Sequence, residues 1–218
     1  MSPEQKMRFS AAPWAGKAQD IIIGGAGGIS SWLSLALARA GHNLYVYDMD
    51  TYENQNIAGQ FCKTSDVGKK KTVALKENIK AFTDSNISAM DKYESNSMVA
   101  PIMMCGFDNM EARKLMFEKW KAEDDRLLFI DGRMTAEVFN VFVVQKGQED
   151  RYEETLFPSS EANELPCSFK STTHNAMGIA YMMTSALNNF LAQDVDPVRE
   201  LPFQIDANVA LFMFDVTD

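Results

Sequence analysis

The chain has little cysteine and still less histidine. Its three cysteines, Cys62, Cys105 and Cys167, stand far apart among 218 residues, and its two histidines, His42 and His174, are isolated. An odd, sparse set of thiols excludes a disulfide framework, and the lack of any C-x-x-C pair excludes a structural zinc box. Long apolar runs are absent too. No stretch approaches the length of a membrane span, and residues 1–19 lack the apolar core of a signal peptide. Positive charge is short, with 21 Lys and Arg against 30 Asp and Glu and a net charge of −9. That balance argues against a nucleic-acid backbone as the main partner. The expectation is a cytoplasmic protein with neither a nucleic-acid nor a membrane partner. The 14 methionines read as fillers of irregular core gaps, not as a metal box.

What is present begins with residues 20–60. Ile21, Ile22 and Ile23 form a short apolar run that ends in Gly24, Gly25, Ala26, Gly27 and Gly28. An Ala/Leu-rich segment over residues 29–40 then carries apolar side chains at helical spacing and stops at Gly41. A second short run, residues 43–47, ends in Asp48. Strand, glycine turn, helix, strand and acid in that order predict a nucleotide-binding βαβ unit. Glycine lets backbone approach a phosphate, and a helix N-terminus offers free N–H groups and partial positive charge. Asp48, about twenty residues beyond the turn, stands where a carboxylate holds ribose hydroxyls.

The rest of the first 131 residues alternates strand and helix. Residues 49–66 form a polar loop too long for a simple connection, and loops of that length at the carboxyl edge of a parallel sheet are usually functional. Val67, Gly68, Lys69, Lys70 and Lys71 open a helix to about residue 82, with Val73, Ala74, Ile79 and Phe82 as its apolar side. Its cationic start opposes its own dipole unless an anion sits there. Strands follow over residues 86–90, 99–105 and 127–130, with a helix over residues 110–121 after Asp108 and Asn109. This pattern predicts an α/β, Rossmann-like, mostly parallel doubly wound sheet. Beyond Arg133 the order changes. Residues 137–145 read as a strand with no helix after it, which extends the sheet by antiparallel strands in the C-terminal part. Residues 146–170 read as a long acidic crossover loop, residues 171–191 as the longest helix with Ser171, Thr172 and Thr173 as candidate caps, and residues 209–214 as a last strand. The expectation is a single domain over residues 1–218, preceded by a polar arm of residues 1–19.

Four ordered clusters resemble the ThiF/MoeB family, whose fold is shared with ubiquitin-activating enzymes. The family's G-x-G-G-x-G turn reads Gly25-Ala26-Gly27-Gly28-Ile29-Ser30. Its D-x-D-x-x-x-x-x-N-L-x-R-Q signature begins at Asp48, passes Asp50 and Asn56, and ends at Gly59 and Gln60. Its V-G-x-x-K element is Val67, Gly68 and Lys71, and its D-N-x-x-x-R element is Asp108, Asn109 and Arg113. The match is close over residues 20–135 and looser beyond.

The resemblance implies binding of ATP with Mg²⁺ and adenylation of a carboxylate, typically the C-terminus of a ubiquitin-like protein or a peptide, by a homodimer. It implies that Gly25, Gly27 and Gly28 receive the nucleotide, that Asp48 holds the ribose, and that Asn56 and Lys71 contact phosphates. Asp108 would hold Mg²⁺, with Asp50, Gln60 and Asn109 in the same nucleotide-binding set. Arg8 matches the arginine that reaches the partner subunit's nucleotide. Cys167 falls in the crossover loop, near where relatives place a cysteine that forms a thioester or persulfide. The zinc cysteines of many members are absent here, as in smaller relatives that dispense with the metal, so no structural zinc is expected. Two departures stand out. Gly59 replaces a phosphate-binding arginine, leaving Lys63, Lys69 or an arm arginine as candidate substitutes, and Ser30 replaces the third glycine. Two other readings remain open: a non-catalytic ubiquitin-activating-enzyme-like scaffold, and an NAD-dependent oxidoreductase. The second leaves the Asn56 to Lys71 cluster unexplained.

Overall fold

The computed structural model describes residues 9–158 and 172–218. Eight strands make one sheet in the order β3-β2-β1-β4-β5-β6-β7-β8. Strands β1 (Asp20–Gly24), β2 (Asn43–Tyr47), β3 (Ser88–Met90), β4 (Ile102–Cys105) and β5 (Leu128–Thr135) run parallel. Strands β6 (Val138–Gln145), β7 (Gln204–Asn208) and β8 (Met213–Thr217) continue antiparallel. The chain winds outward from β1 to β3, then returns to add β4 on the other side of β1. Strand order therefore reverses between β1 and β4, which is where open α/β sheets form their ligand crevice.

Period-two alternation divides the apolar side chains between the two faces of the sheet. Ile21 and Ile23 of β1 join Met104, Ile130 and Val143 on one face, under α1 (Gly28–Ala40), α2 (Lys71–Thr83) and α5 (Thr173–Leu191). Ile22, Met103, Phe129 and Val144 face the other layer, built on α3 (Met110–Lys121) and α4 (Glu149–Glu153). Burial on both faces is why these strands read as continuous apolar runs. The expected helical stripe of α5 is buried as Ala176, Ile179, Ala180, Met183 and Leu187.

Several boundaries differ from expectation. The acidic segment after residue 145 contains α4, a short helix anchored by fully buried Tyr152. The C-terminal strand expected over residues 209–214 is instead a hairpin, with residues 209–212 connecting β7 to β8. Its apolar residues 211–214 drew the reading onto the turn. On α2, Val73 and Phe82 are exposed, while Ala74, Leu75 and Ile79 are buried. The stripe lies one position away because Lys71 and Asn78 also face inward. Thr172 occupies the N-cap position of α5 without a side-chain cap.

Ser30 shows how α1 seats on the sheet. Its buried hydroxyl donates to the Gly24 carbonyl at 3.0 Å, and a Cβ built on Gly106 of the neighbouring strand end would meet that oxygen at 2.3 Å. The absence of a side chain at residue 106 thus makes room for the serine. Gly106→Ala is expected to lower stability by about 1–3 kcal/mol, the usual cost of overpacking. In a Ser30→Ala background the penalty should shrink, because the opposing oxygen is gone. Denaturant melts of the four-member cycle check this, and a full penalty in both backgrounds refutes the contact.

Candidate functional site

The carboxyl edge of the parallel strands gathers the polar residues. Tyr47, Gly24, Cys105 and Asp131 lie in one row across β2, β1, β4 and β5. The residues that follow them form the rim. Backbone bonds lace the rim together: the Gly25 N–H donates to Tyr47 at 2.8 Å and the Gly106 N–H to Gly24 at 2.9 Å. Gly25 has φ of 88°, a left-handed conformation that favours glycine, and a Cβ there would sit 3.1 Å from the Gly106 carbonyl.

Beyond Gly25 the turn opens. A Cβ on Gly27 would meet nothing within 4 Å. Gly27 is the N-cap of α1, where no side chain caps the helix and the first turn holds no acid. The first-turn N–H groups of α1 have no intrahelical acceptors, and the helix dipole leaves positive potential there. Helix α3 differs, since Asn109 caps it by accepting the Ala112 N–H at 2.8 Å and Glu111 lies in its first turn.

Asp48 braces the glycine turn. One carboxylate oxygen accepts the Ala26 N–H at 2.7 Å and the other the Asp50 N–H at 2.8 Å. A carboxylate offers about four lone-pair positions, so each oxygen keeps room for a further donor. On the neighbouring strand end, Asp108 is exposed, and its side chain has no hydrogen-bond or ion-pair partner among the described residues.

The loop of residues 49–70 folds back over α1. Trp32 Nε1 donates to the Gly59 carbonyl at 3.1 Å, and the Phe61 N–H donates to Ser31 Oγ at 2.9 Å. The Thr173 hydroxyl at the start of α5 donates to Ala58. Asn56 is turned into its own loop, with its Oδ1 accepting the Glu53 N–H at 2.8 Å. Gln60 Oε1 is buried with no partner among the described residues.

The cationic start of α2 finds its anions within the protein. Lys71 is buried with its ammonium 3.0 Å from Asp50 Oδ2, which stays half-exposed. Lys70 lies 3.4 Å from Asp91, and Lys69 binds both Asp66 at 3.1 Å and Glu77 at 3.2 Å. Asp66 is the loop's internal anchor, a role that the sequence analysis did not anticipate. Burial by itself would raise its carboxyl, but bonds from Asn78, the Lys63 N–H and Lys69 outweigh that and hold it below its ordinary value of 3.8. A depressed carboxyl adds stability that is present above its ordinary value and is lost as pH falls through the lower folded value. Asp66→Asn is therefore expected to cost about 1–3 kcal/mol at neutral pH. Thermal melts of the two proteins should converge as pH falls below about 4. A gap that stays constant into acid would refute the role.

Asp131 was likewise unassigned. It is fully buried within β5, at the last residue paired with β4, and forms an ion pair with Arg113, while its second oxygen accepts Arg133 Nε at 2.7 Å and the Tyr152 hydroxyl at 2.9 Å. An acid after a short apolar run was the available signal, but Arg113 comes from α3 and Tyr152 from α4, and only Arg133 lies in β5 itself. The structure thus brings Gly25, Gly27, Gly28, Asp48, Asp108 and Asn109 to one rim, with Asp50 and Lys71 paired beside it. Asn56 and Gln60 lie in the loop over α1. Arg8 and Cys167 lie outside the described residues. Cys62 and Cys105 are free thiols, both raised above the ordinary value by burial first. Burial disfavours the thiolate, the reactive form, at both.

The sequence profile of the ThiF family matches residues 15–209. The chain belongs to the ThiF family. A comparison with curated proteins gives no match. Among solved structures, Escherichia coli MccB with ATP is similar at a TM-score of 0.69 and 18% identity, covering 94% of this chain and 64% of that one. MccB with succinimide gives 0.70 at 16% identity, with 94% and 65% covered, and PaaA gives 0.67 at 18% identity, also with 94% and 65% covered. Identity this low shows a shared fold. The ThiF-family chain spans just under two thirds of these structures' length.

Proposed function

We propose that this ThiF-family protein is an ATP-dependent adenylyltransferase that activates the carboxylate of a peptide or ubiquitin-like C-terminus. The observation that carries the reading is the juxtaposition at the switch point: an uncapped, open glycine turn beside the exposed carboxylate of Asp108, which has no hydrogen bond or ion pair among the described residues. A triphosphate seated on the α1 N-terminus meets backbone N–H groups without steric hindrance from Gly27. Asp108 then suits a magnesium ion, which uses one or two protein carboxylates together with phosphate oxygens. No cluster of three metal-ligating side chains occurs among the described residues, and that donor set does not require one. When bound, the ion would offset charge that develops on phosphate oxygens.

The chemistry assigns the protein a positioning task. The substrate carboxylate oxygen attacks the α-phosphorus, the bond to the β-phosphate oxygen breaks, and pyrophosphate leaves as an acyl-adenylate forms. Asp48 offers its remaining acceptor positions to the ribose. Lys71 and Asn56 serve the phosphates, with Lys71 exchanging Asp50 for a phosphate oxygen on binding. Of the candidate replacements for arginine at Gly59, Lys69 is committed to Asp66 and Glu77, whereas the exposed Lys63 side chain has no partner among the described residues. Lys63 is therefore the freer cation. In this reading Gly25, Gly28, Gln60 and Asn109 complete the nucleotide contacts, Cys167 is the acyl-accepting thiol, and Arg8 reaches the second subunit of a homodimer. MccB has been solved with ATP and, separately, with N-formylated MccA, which supports a nucleotide and a second ligand on this scaffold.

Calorimetric titration with ATP and Mg²⁺, then with NAD⁺, tests the proposal. ATP binding that strengthens with Mg²⁺ is expected. No ATP binding would favour the scaffold, and preference for NAD⁺ would refute the adenylyltransferase.

A further inference from the structure

The buried ions around Asp131 form a continuous chain between two loops. At one end, Arg113 donates through one terminal nitrogen to the Phe107 carbonyl at 2.5 Å, immediately before Asp108, and pairs with Asp131 through the other. Arg133 takes the second Asp131 oxygen through Nε, then spends both terminal nitrogens on Thr155, at 2.8 Å to its carbonyl and 2.9 Å to its hydroxyl. The Arg133 guanidinium also lies over the Phe142 and Tyr152 rings, at 4.3 Å and 5.5 Å, so its plane is fixed. Thr155 begins the stretch through Leu156, Phe157 and Pro158 that faces Met110, Glu111 and Lys114 of α3 across a shallow pocket. Both walls of that pocket, beside the Asp108 turn, are thus tied to one carboxylate.

The geometry is specific to arginine. A single planar fork reaches three acceptors, whereas lysine presents a point charge that cannot span Asp131 and Thr155 together. Nor is the link needed to neutralise Asp131, which Arg113 and Tyr152 already serve. A purely structural account of Asp131 therefore leaves the reach of Arg133 to Thr155 unexplained.

We infer that Arg133 is a positioning residue for the adenylation site, setting the Asp108 turn and the Thr155–Pro158 wall relative to each other through Asp131 and Arg113. This rests on the adenylyltransferase reading. A change at Thr155 is transmitted to Phe107 through bonds between rigid planar groups, and the metal-binding carboxylate moves with it.

Two readouts on the full chain test the inference. The first is amide hydrogen exchange without ligand, in Arg133→Ala. The Leu156 N–H, which donates to Glu153, and the Ala112 N–H, which donates to Asn109, should both exchange about fivefold faster or more. The Ala26 N–H, held by Asp48, serves as the control and should not change. The second is binding of α,β-methylene-ATP with and without Mn²⁺. Arg133→Ala should lose about tenfold in the Mn²⁺-dependent affinity and nothing in the metal-free affinity. Arg133→Lys keeps a charge at Asp131 without the fork, so neither Ala112 nor Leu156 should recover, and rescue of Ala112 by lysine overturns the inference. Unchanged Ala112 exchange in Arg133→Ala, or equal acceleration at Ala26, overturns the inference. So does metal-dependent affinity that survives in a variant whose wild-type parent binds the analogue. Failure of the wild type to bind the analogue overturns the functional reading instead.

Discussion

Asp108→Ala is expected to abolish adenylation while leaving the fold untouched. The side chain is exposed and contacts no partner among the described residues, and the cap of α3 is Asn109, not Asp108. Surface changes of that kind stay within about 0.5 kcal/mol of the parent. In the proposed adenylyltransferase this carboxylate would hold the metal, so its loss would remove charge compensation where phosphate charge develops. Removing one such electrostatic contribution typically lowers turnover by about 10²–10³-fold, and more when a metal leaves with it. Two measurements separate the effects. Calorimetry should show that Mg²⁺ no longer strengthens ATP binding, with metal-free binding intact. Pyrophosphate exchange, run with peptides ending in a free carboxylate that support it in the wild type, should vanish. Retained exchange would remove Asp108 from the metal site.

The largest effect on stability belongs to Asp131→Ala. The substitution strands two guanidiniums, with Arg113 and Arg133 side chains only 5% and 14% exposed. Burial lowers the Arg113 pKa, yet a guanidinium is not deprotonated in proteins, so the charge stays where it is stranded. Breaking a buried pair by removing one partner costs about 3–5 kcal/mol, since the surviving charge has neither water nor counterion. The Tyr152 hydroxyl loses its acceptor as well. For a chain of this size each kcal/mol is worth about 2–4 °C, so the melting temperature should fall by roughly 6–20 °C. Asp131→Asn keeps the shape and an acceptor and should fall between the two. A melting temperature within about 3 °C of the parent for Asp131→Ala would mean that water reaches the network.

The two substitutions mark a division of labour at one sheet edge. Asp108, Asp48 and the glycine turn face outward and are free to meet a ligand. Asp131 and Asp66 face inward, where Asp131 holds two arginines and Asp66 shares Lys69 with Glu77. Lys71 lies between these classes, since its ammonium is paired with Asp50 in the ligand-free protein but buried at a helix start beside the rim.

What the sequence by itself determined was everything set by local chain geometry. The apolar triplet, the glycine turn, the helical stripe and the acid at Asp48 are encoded within a few residues of one another, through backbone freedom and side-chain period. Their order was enough to place the doubly wound sheet and the residues of its carboxyl rim. The short helix around Tyr152 and the hairpin after Asn208 escaped notice for the same reason: too few residues repeat for a period to emerge. Only the tertiary structure decided which charges pair. Lys71 joins Asp50, Lys69 adds Glu77 to its near neighbour Asp66, and Arg113 of α3 joins Asp131 and Arg133 of β5, because folding brings separate elements together. No spacing along the chain encodes the Lys71–Asp50 or Arg113–Asp131 pairs. They follow from strand order, and strand order is a property of the whole sheet.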